Sequence, residues 1–190
     1  MEQETADDPE LMAALAAGDD QAMAGLMARW EVPLKRYLQR LLLNAADAED
    51  LAQETFVRLY KARRDFKRGA AVSPFLYAIA SNLAKNRLRW RGVRRLISLG
   101  GGGRDHPALQ VADASAASGA EAALESERVN AVRNAIAGLP HDLRIAIVLA
   151  EYEGLSHAEI GAALDCTPKA VEGRLHRARA ALRTTLARWV

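Results

Sequence analysis

Four consecutive glycines, Gly100 to Gly103, sit in the middle of a 190-residue chain and lie near the start of the stretch SLGGGGRDHPALQVADASAASGAEAA, Ser98 to Ala123. With Pro107 and a run of small residues behind them, they cannot bury enough apolar surface to order the backbone. The expectation is a flexible linker over 97–123 with one folded unit on each side, 9–96 and 124–188. Such a linker lets the units sit on the order of tens of ångströms apart. Both units read as helical. Alanine and leucine are prominent and aromatic residues make up only 5% of the chain, which favours helix over strand. The expected fold class is therefore all-α: two small helical domains, an N-terminal helical bundle and a C-terminal helix-turn-helix.

Several classes of protein are excluded early. No run of about 18 apolar residues occurs, so no membrane span is expected. The first ten residues, MEQETADDPE, are acidic and lack an apolar segment, unlike a secretory signal. Cys166 is the single cysteine, which rules out an intramolecular disulfide and suits a reducing, cytoplasmic setting.

The net charge of +2 hides an asymmetry. Residues 61–95 carry eleven bases against one acid, Asp65, and residues 166–190 carry six against one acid, Glu172. Two basic patches far apart in sequence suggest two contacts with a polyanion.

The second patch lies in GLSHAEIGAALDCTPKAVEGRLHRARAAL. Ser156 and Glu159 have the spacing of a capping box, which opens a helix by satisfying its free N–H groups. Thr167 is a good N-cap and Pro168 a good first helical residue. Between the two helices Asp165 and Cys166 make a short turn, and aspartate tolerates the left-handed conformation such turns need. Val171, Leu175, Ala178 and Leu182 form one apolar stripe. Opposite it stand Lys169, Gly173, His176 and Arg177, with Glu172 flanking. Helix, tight turn and helix with a basic outer face is the layout that sets a second helix in the DNA major groove. Gly173 costs about 1 kcal/mol in a helix relative to alanine, and close approach to a DNA backbone would account for it.

In the first unit, AADAEDLAQETFVRLYKARRDF places Ala48, Leu51, Ala52, Thr55, Phe56, Leu59, Ala62 and Phe66 in one inward arc. Asp50, Gln53, Glu54 and Val57 face outward, an apolar residue with a polar rim that suits a protein contact. The next helix is expected to take Ser73 as its N-cap and Pro74 as its first residue. Phe75, Leu76, Ile79, Ala80, Leu83 and Trp90 make its buried arc. Ala78, Ser81, Asn82, Lys85 and Arg89 line another face, where Asn82 can bond a base edge and the cations can hold phosphates. The loop before it adds Lys67 and Arg68. Phe66, Phe75, Tyr77 and Trp90 are placed to stack on unpaired bases, although their wheel positions favour core for Phe66, Phe75 and Trp90. Crowded cations from Lys85 to Arg95 are tolerated, on this reading, because bound phosphates neutralise them.

No catalytic or metal-ligating constellation emerges. Cys166 and His176 are two ligands without a partner cluster, and the four glycines are not followed by Gly-Lys-Ser/Thr, so they are no phosphate loop. No cofactor is expected.

The order AEDLAQETF, FLYAIASNLAKNRLR, linker and LPHDLRIAIVLAEYEGLSHAEIGAAL…AVEGRLHRARAAL resembles a bacterial sigma factor of the extracytoplasmic-function group, from about Pro9 to Leu186. The resemblance implies that the first domain binds the clamp helices of RNA polymerase through Asp50, Gln53 and Glu54, with Val57 on the same face. It implies that the loop 67–72 and the helix Ser73 to Arg89 melt and read the minus-ten promoter element, with Asn82, Lys85, Asn86 and Arg89 as contacts. The second domain would read the minus-thirty-five element through Glu172, Gly173, His176 and Arg177. Core RNA polymerase, promoter DNA and an anti-sigma factor are the implied partners, and no enzymatic activity is implied. Phe75 stands where the family often has tryptophan, and Glu172 where it often has a basic or neutral polar residue. The alternative is a two-domain helix-turn-helix regulator, which needs neither the outward face at 50–57 nor the Asn82–Arg89 helix.

Overall fold

An N-capping aspartate opens the first helix. Asp7 accepts from the Glu10 amide while the Glu10 side chain accepts from the Asp7 amide, which satisfies two of the free donors at a helix start. The computed structural model describes residues 7–67, 69–98 and 120–189, with the backbone alone for 92–98 and 120–123. Within these residues the chain is helical and has no strand: α1 (Asp8–Ala17), α2 (Gln21–Leu42), α3 (Ala45–Lys61), α4 (Val72–Ser98), α5 (Ala120–Gly138), α6 (His141–Glu151), α7 (His157–Ala163) and α8 (Pro168–Thr185). Helix α4 extends to Ser98 and α5 begins at Ala120, so both ends of the 97–123 stretch are helical. The rest of that stretch, with the four glycines, and Arg68 lie outside the described residues.

Helices α1 to α4 form the first group. Asp8 fixes α1 to α2 by accepting from Arg29 at 2.5 Å and from the Trp30 indole at 2.9 Å. Helix α2 buries Leu26, Leu34, Tyr37, Leu38 and Leu41 against α3 and α4. Leu43 turns the chain with φ +52°, and Asn44 caps α3 by accepting from the Asp47 amide at 2.8 Å. The expected inward arc of α3 is observed, with Ala48, Leu51, Ala52, Thr55, Phe56 and Leu59 buried.

Helix α4 departs from expectation in two places. It starts at Val72, so Ser73 and Pro74 fall inside its first turn rather than at its cap. Proline is accommodated there because first-turn N–H groups have no intrahelical acceptor. Trp90 is 68% exposed and not part of the buried arc, although its neighbour Arg91 still reaches the Leu42 carbonyl of α2 and Asp47 of α3. Ser81, placed on the polar face by the wheel, is buried and shares a 2.6 Å hydrogen bond with the Tyr37 hydroxyl.

Helices α5 to α8 form the second group around α6. Ile145, Ala146, Ile147, Val148 and Leu149 of α6 are all buried, the pattern of a helix covered on every side. Its neighbours are α8, α7 and, from the first group, α2. The two groups are thus not held apart. Helix α4 packs along α7, α2 meets α5 and α6, and the buried apolar residues of both groups form one continuous cluster.

The Tyr37–Ser81 pair tests this packing. Burial pushes the Tyr37 hydroxyl above its ordinary pKa, so it stays protonated across the physiological range. Tyr37→Phe and Ser81→Ala should each lower unfolding free energy by about 1–2 kcal/mol, since each leaves the other hydroxyl buried and unpartnered. The double variant should cost less than the sum, read from urea denaturation of all four proteins.

Candidate nucleic-acid interface

The helix-turn-helix is built from local sequence signals. Ser156 caps α7 through the reciprocal contact with Glu159, whose carboxylate accepts from the Ser156 amide at 2.8 Å. Those hydrogen bonds from Ser156 hold the Glu159 carboxyl below its usual pKa. Thr167 caps α8 by accepting from the Ala170 amide at 3.2 Å, and Pro168 is its first residue. Asp165 takes φ +50° in the turn between them, as its tolerance of that region allows.

Gly161, which the sequence reading passed over, sets how tightly this turn closes. A Cβ there would lie 2.6 Å from the Cys166 carbonyl oxygen, and the Cys166 amide donates to the Gly161 carbonyl at 2.9 Å. The backbone of α7 and the turn are therefore in direct contact, and any side chain would separate them. The available signal was a mid-helix glycine next to a short turn. Gly173, singled out instead, has open space around it.

Helix α8 buries Val171, Leu175 and Ala178 and half-buries Leu182. Lys169, Glu172, Gly173, His176 and Arg177 are all exposed on its outer side. Arg177 folds back to donate to the Gly173 carbonyl at 3.2 Å. Cys166 is half-buried and accepts from Arg174 at 3.4 Å. Among the described residues no cluster of three or more His, Cys, Asp or Glu could hold a metal.

The first group carries two further surfaces. On α3, Asp50, Gln53 and Val57 are exposed, and Glu54 is half-buried in a 2.8 Å pair with Arg58. Val57, at 46% exposure, is an apolar point inside a polar ridge. On α4, Asn82, Asn86 and Arg89 are exposed, while Lys85 is half-buried. Lys67 is exposed in the preceding loop.

The crowding of cations on α4 has an internal answer as well as any external one. Asp47 of α3 accepts from both Arg87 and Arg91, and Arg91 also donates to the Leu42 carbonyl at 3.1 Å. Lys85 pairs with Asp142 of α6 at 3.0 Å. That hydrogen bond holds the Asp142 carboxyl below its usual pKa. Part of the repulsion is thus relieved before any phosphate arrives.

The aromatic residues divide. Tyr77 is buried, edge-on to Tyr37 at 4.9 Å and to Trp30 at 5.9 Å, so it is not available to stack on bases. Phe66 and Phe75 are half-buried and meet edge to face at 5.4 Å. Trp90 alone of the four stands clear of the core.

The two glycines of the helix-turn-helix should respond in opposite directions. Gly161→Ala should destabilise the protein by about 1–3 kcal/mol through overpacking and weaken duplex binding with it. Gly173→Ala should stabilise α8 by about 1 kcal/mol while still weakening duplex binding. Thermal melts and fluorescence anisotropy with a promoter duplex separate the two effects.

Comparison with known proteins agrees with this layout. The family described as Sigma-70 region 2 matches residues 26–93, and Sigma-70, region 4 matches residues 130–182. The chain is 33% identical over 184 residues to the RNA polymerase sigma-H factor of Pseudomonas aeruginosa, covering 92% of this chain and 91% of that protein. It is 33% identical over 182 residues to the ECF RNA polymerase sigma-E factor of Escherichia coli K12, covering 92% of each. Among solved structures, CnrH in complex with the cytosolic domain of CnrY superposes with a TM-score of 0.69 at 28% identity, covering 95% of this chain and 97% of that one.

Proposed function

The chain belongs to the extracytoplasmic-function group of RNA polymerase sigma factors, and on that premise we propose how its surfaces divide the work of promoter-specific initiation. The region over 9–96 docks on core polymerase and reads the minus-ten element. The region over 124–188 reads the minus-thirty-five element, and 97–123 connects them. The protein acts as a dissociable specificity subunit in the cytoplasm, without catalysis or cofactor of its own.

The observation that carries this reading is the coexistence of the exposed α3 ridge with the helix-turn-helix. A regulator that only binds duplex DNA has no use for Asp50, Gln53, Glu54 and Val57 on an exposed face. A docked partner would bury Val57 at the centre of a polar rim, the arrangement common to protein interfaces. On α4, Asn82 and Asn86 offer hydrogen bonds to base edges, and Lys85 and Arg89 offer charge to phosphates; Lys67 and Arg68 precede them in sequence and add to that charge. Helix α8 enters the major groove with Glu172, His176 and Arg177 toward the bases and Lys169 toward the backbone. Gly173 lets the backbone itself approach.

Glu172 is the unusual member. A carboxylate repels phosphate but accepts a hydrogen bond from cytosine N4, so it selects sequence at the expense of general affinity. CnrH was solved with a second polypeptide bound, and control by an anti-sigma factor is proposed for this chain too.

In vitro transcription with bacterial core polymerase and a promoter library tests the assignment. New start sites should appear only with the protein and share paired upstream elements. Gln53→Ala/Glu54→Ala should abolish them while leaving duplex binding intact. Glu172→Gln should relax discrimination at one minus-thirty-five position by about 1–3 kcal/mol. Duplex binding without start sites would leave only the helix-turn-helix regulator.

A further inference from the structure

Two arginines of α4 are committed to the protein itself. Arg87 and Arg91 are four residues apart, so they stand one above the other on the side turned toward α2 and α3, and like charges at that spacing repel. A single carboxylate holds both. Asp47, in the first turn of α3, accepts from Arg87 at one oxygen and from Arg91 at the other, and its side chain is only 16% exposed. Arg91 also donates at 3.1 Å to the carbonyl of Leu42, the last residue of α2, a group that lacks an intrahelical donor. The Asp47 backbone is fixed in turn, because its amide donates to the Asn44 cap at 2.8 Å.

The outward side of the same turns carries different chemistry. Asn82, Asn86 and Trp90 recur every four residues and are all exposed, so they follow one another along one ridge of α4. Arg89 is exposed beside it. The two amides can bond base edges and the indole can stack on a base. Contacts of that kind carry sequence information, whereas an arginine on a phosphate carries none. Arg87 and Arg91, engaged by Asp47, are withheld from phosphates.

We infer that Asp47 is a positioning residue that sets specificity: it takes Arg87 and Arg91 out of general phosphate binding and uses them to hold the ridge of Asn82, Asn86 and Trp90 outward. Its part in selectivity rests on the assignment of α4 to the minus-ten element; the withholding of the two arginines does not. Both side chains are long and already 35% and 41% exposed, so a released guanidinium has open solvent, and any phosphate there, within reach. Loss of the carboxylate therefore strengthens binding to nucleic acid in general while weakening the choice among sequences. Mere loss of folded protein cannot produce that combination.

Asp47→Asn in the full chain tests this, with binding to a fluorescein-labelled single strand of random sequence read by anisotropy over a range of salt. The slope of log affinity against log salt should steepen by about 0.7 to 1.4, the signature of one or two further phosphates neutralised. Affinity at ~0.1 M salt should rise about fivefold for each released arginine on the same scale. Asp47→Asn/Arg87→Gln/Arg91→Gln should return to the parent slope. Glu49→Gln is the control for charge alone, because Glu49 lies on the same helix and pairs with Lys35 at 3.1 Å; it should keep the parent slope. Far-ultraviolet circular dichroism checks that each variant is folded. A parent slope in folded Asp47→Asn, or equal steepening in Glu49→Gln, would overturn the inference. With core polymerase, Asp47→Asn should also start transcription at minus-ten elements that the parent ignores, and an unchanged set of start sites would overturn the part in selectivity. A parent that starts no transcription defeats the promoter assignment, and the selectivity with it, while the salt dependence still decides whether Asp47 withholds the arginines.

Discussion

Arg144 is a buried cation whose guanidinium ends on backbone carbonyls from both helical groups. It donates to Leu41 in the last turn of α2, and to Ala137 and Leu139 at the close of α5. Helix ends leave carbonyls without intrahelical partners, and burying them unpaired is costly. One side chain here answers for the ends of two helices. Burial lowers the Arg144 pKa from its ordinary value, yet arginine stays charged in any physiological range, so the tie does not depend on pH. It ties α6 to the ends of α2 and α5, and α6 packs in turn against α8, α7 and α2.

That arrangement joins two kinds of stability. Within each group the helices are held by apolar burial, which is strong and non-directional. Between the groups the same apolar cluster is continuous, and directional contacts from Arg40, Tyr77, Lys85, Arg144 and Glu153 add to it.

Features set by neighbours in sequence were legible in advance. The caps at Ser156 and Thr167, the left-handed Asp165 and the stripes on α3 and α8 all follow from short-range chemistry, and the structure contains each of them. Features that depend on how helices meet in space were not. Trp90 fits the buried arc on a wheel, but a wheel carries no information on which side the neighbouring helices approach. Ser81 reads as polar surface until Tyr37 is brought against it. Arg87 and Arg91 read as free cations until Asp47, about 40 residues earlier, is placed beside them. The contacts between the groups were invisible for the same reason: Asp142 and Arg144 look like ordinary surface charges of an amphipathic helix, and Glu153 like a charge of the loop after it. Gly161 sat between the two cases, a local signal in a helix seven residues long whose meaning comes from the turn that folds back on it.

The central claim is that the exposed α3 ridge docks on core polymerase while α8 reads duplex DNA. Fluorescence anisotropy of the dye-labelled full chain, titrated with core polymerase, measures the first part directly. The account predicts tight binding by the parent and clearly weaker binding by Val57→Asp. Equal binding by parent and variant would contradict it.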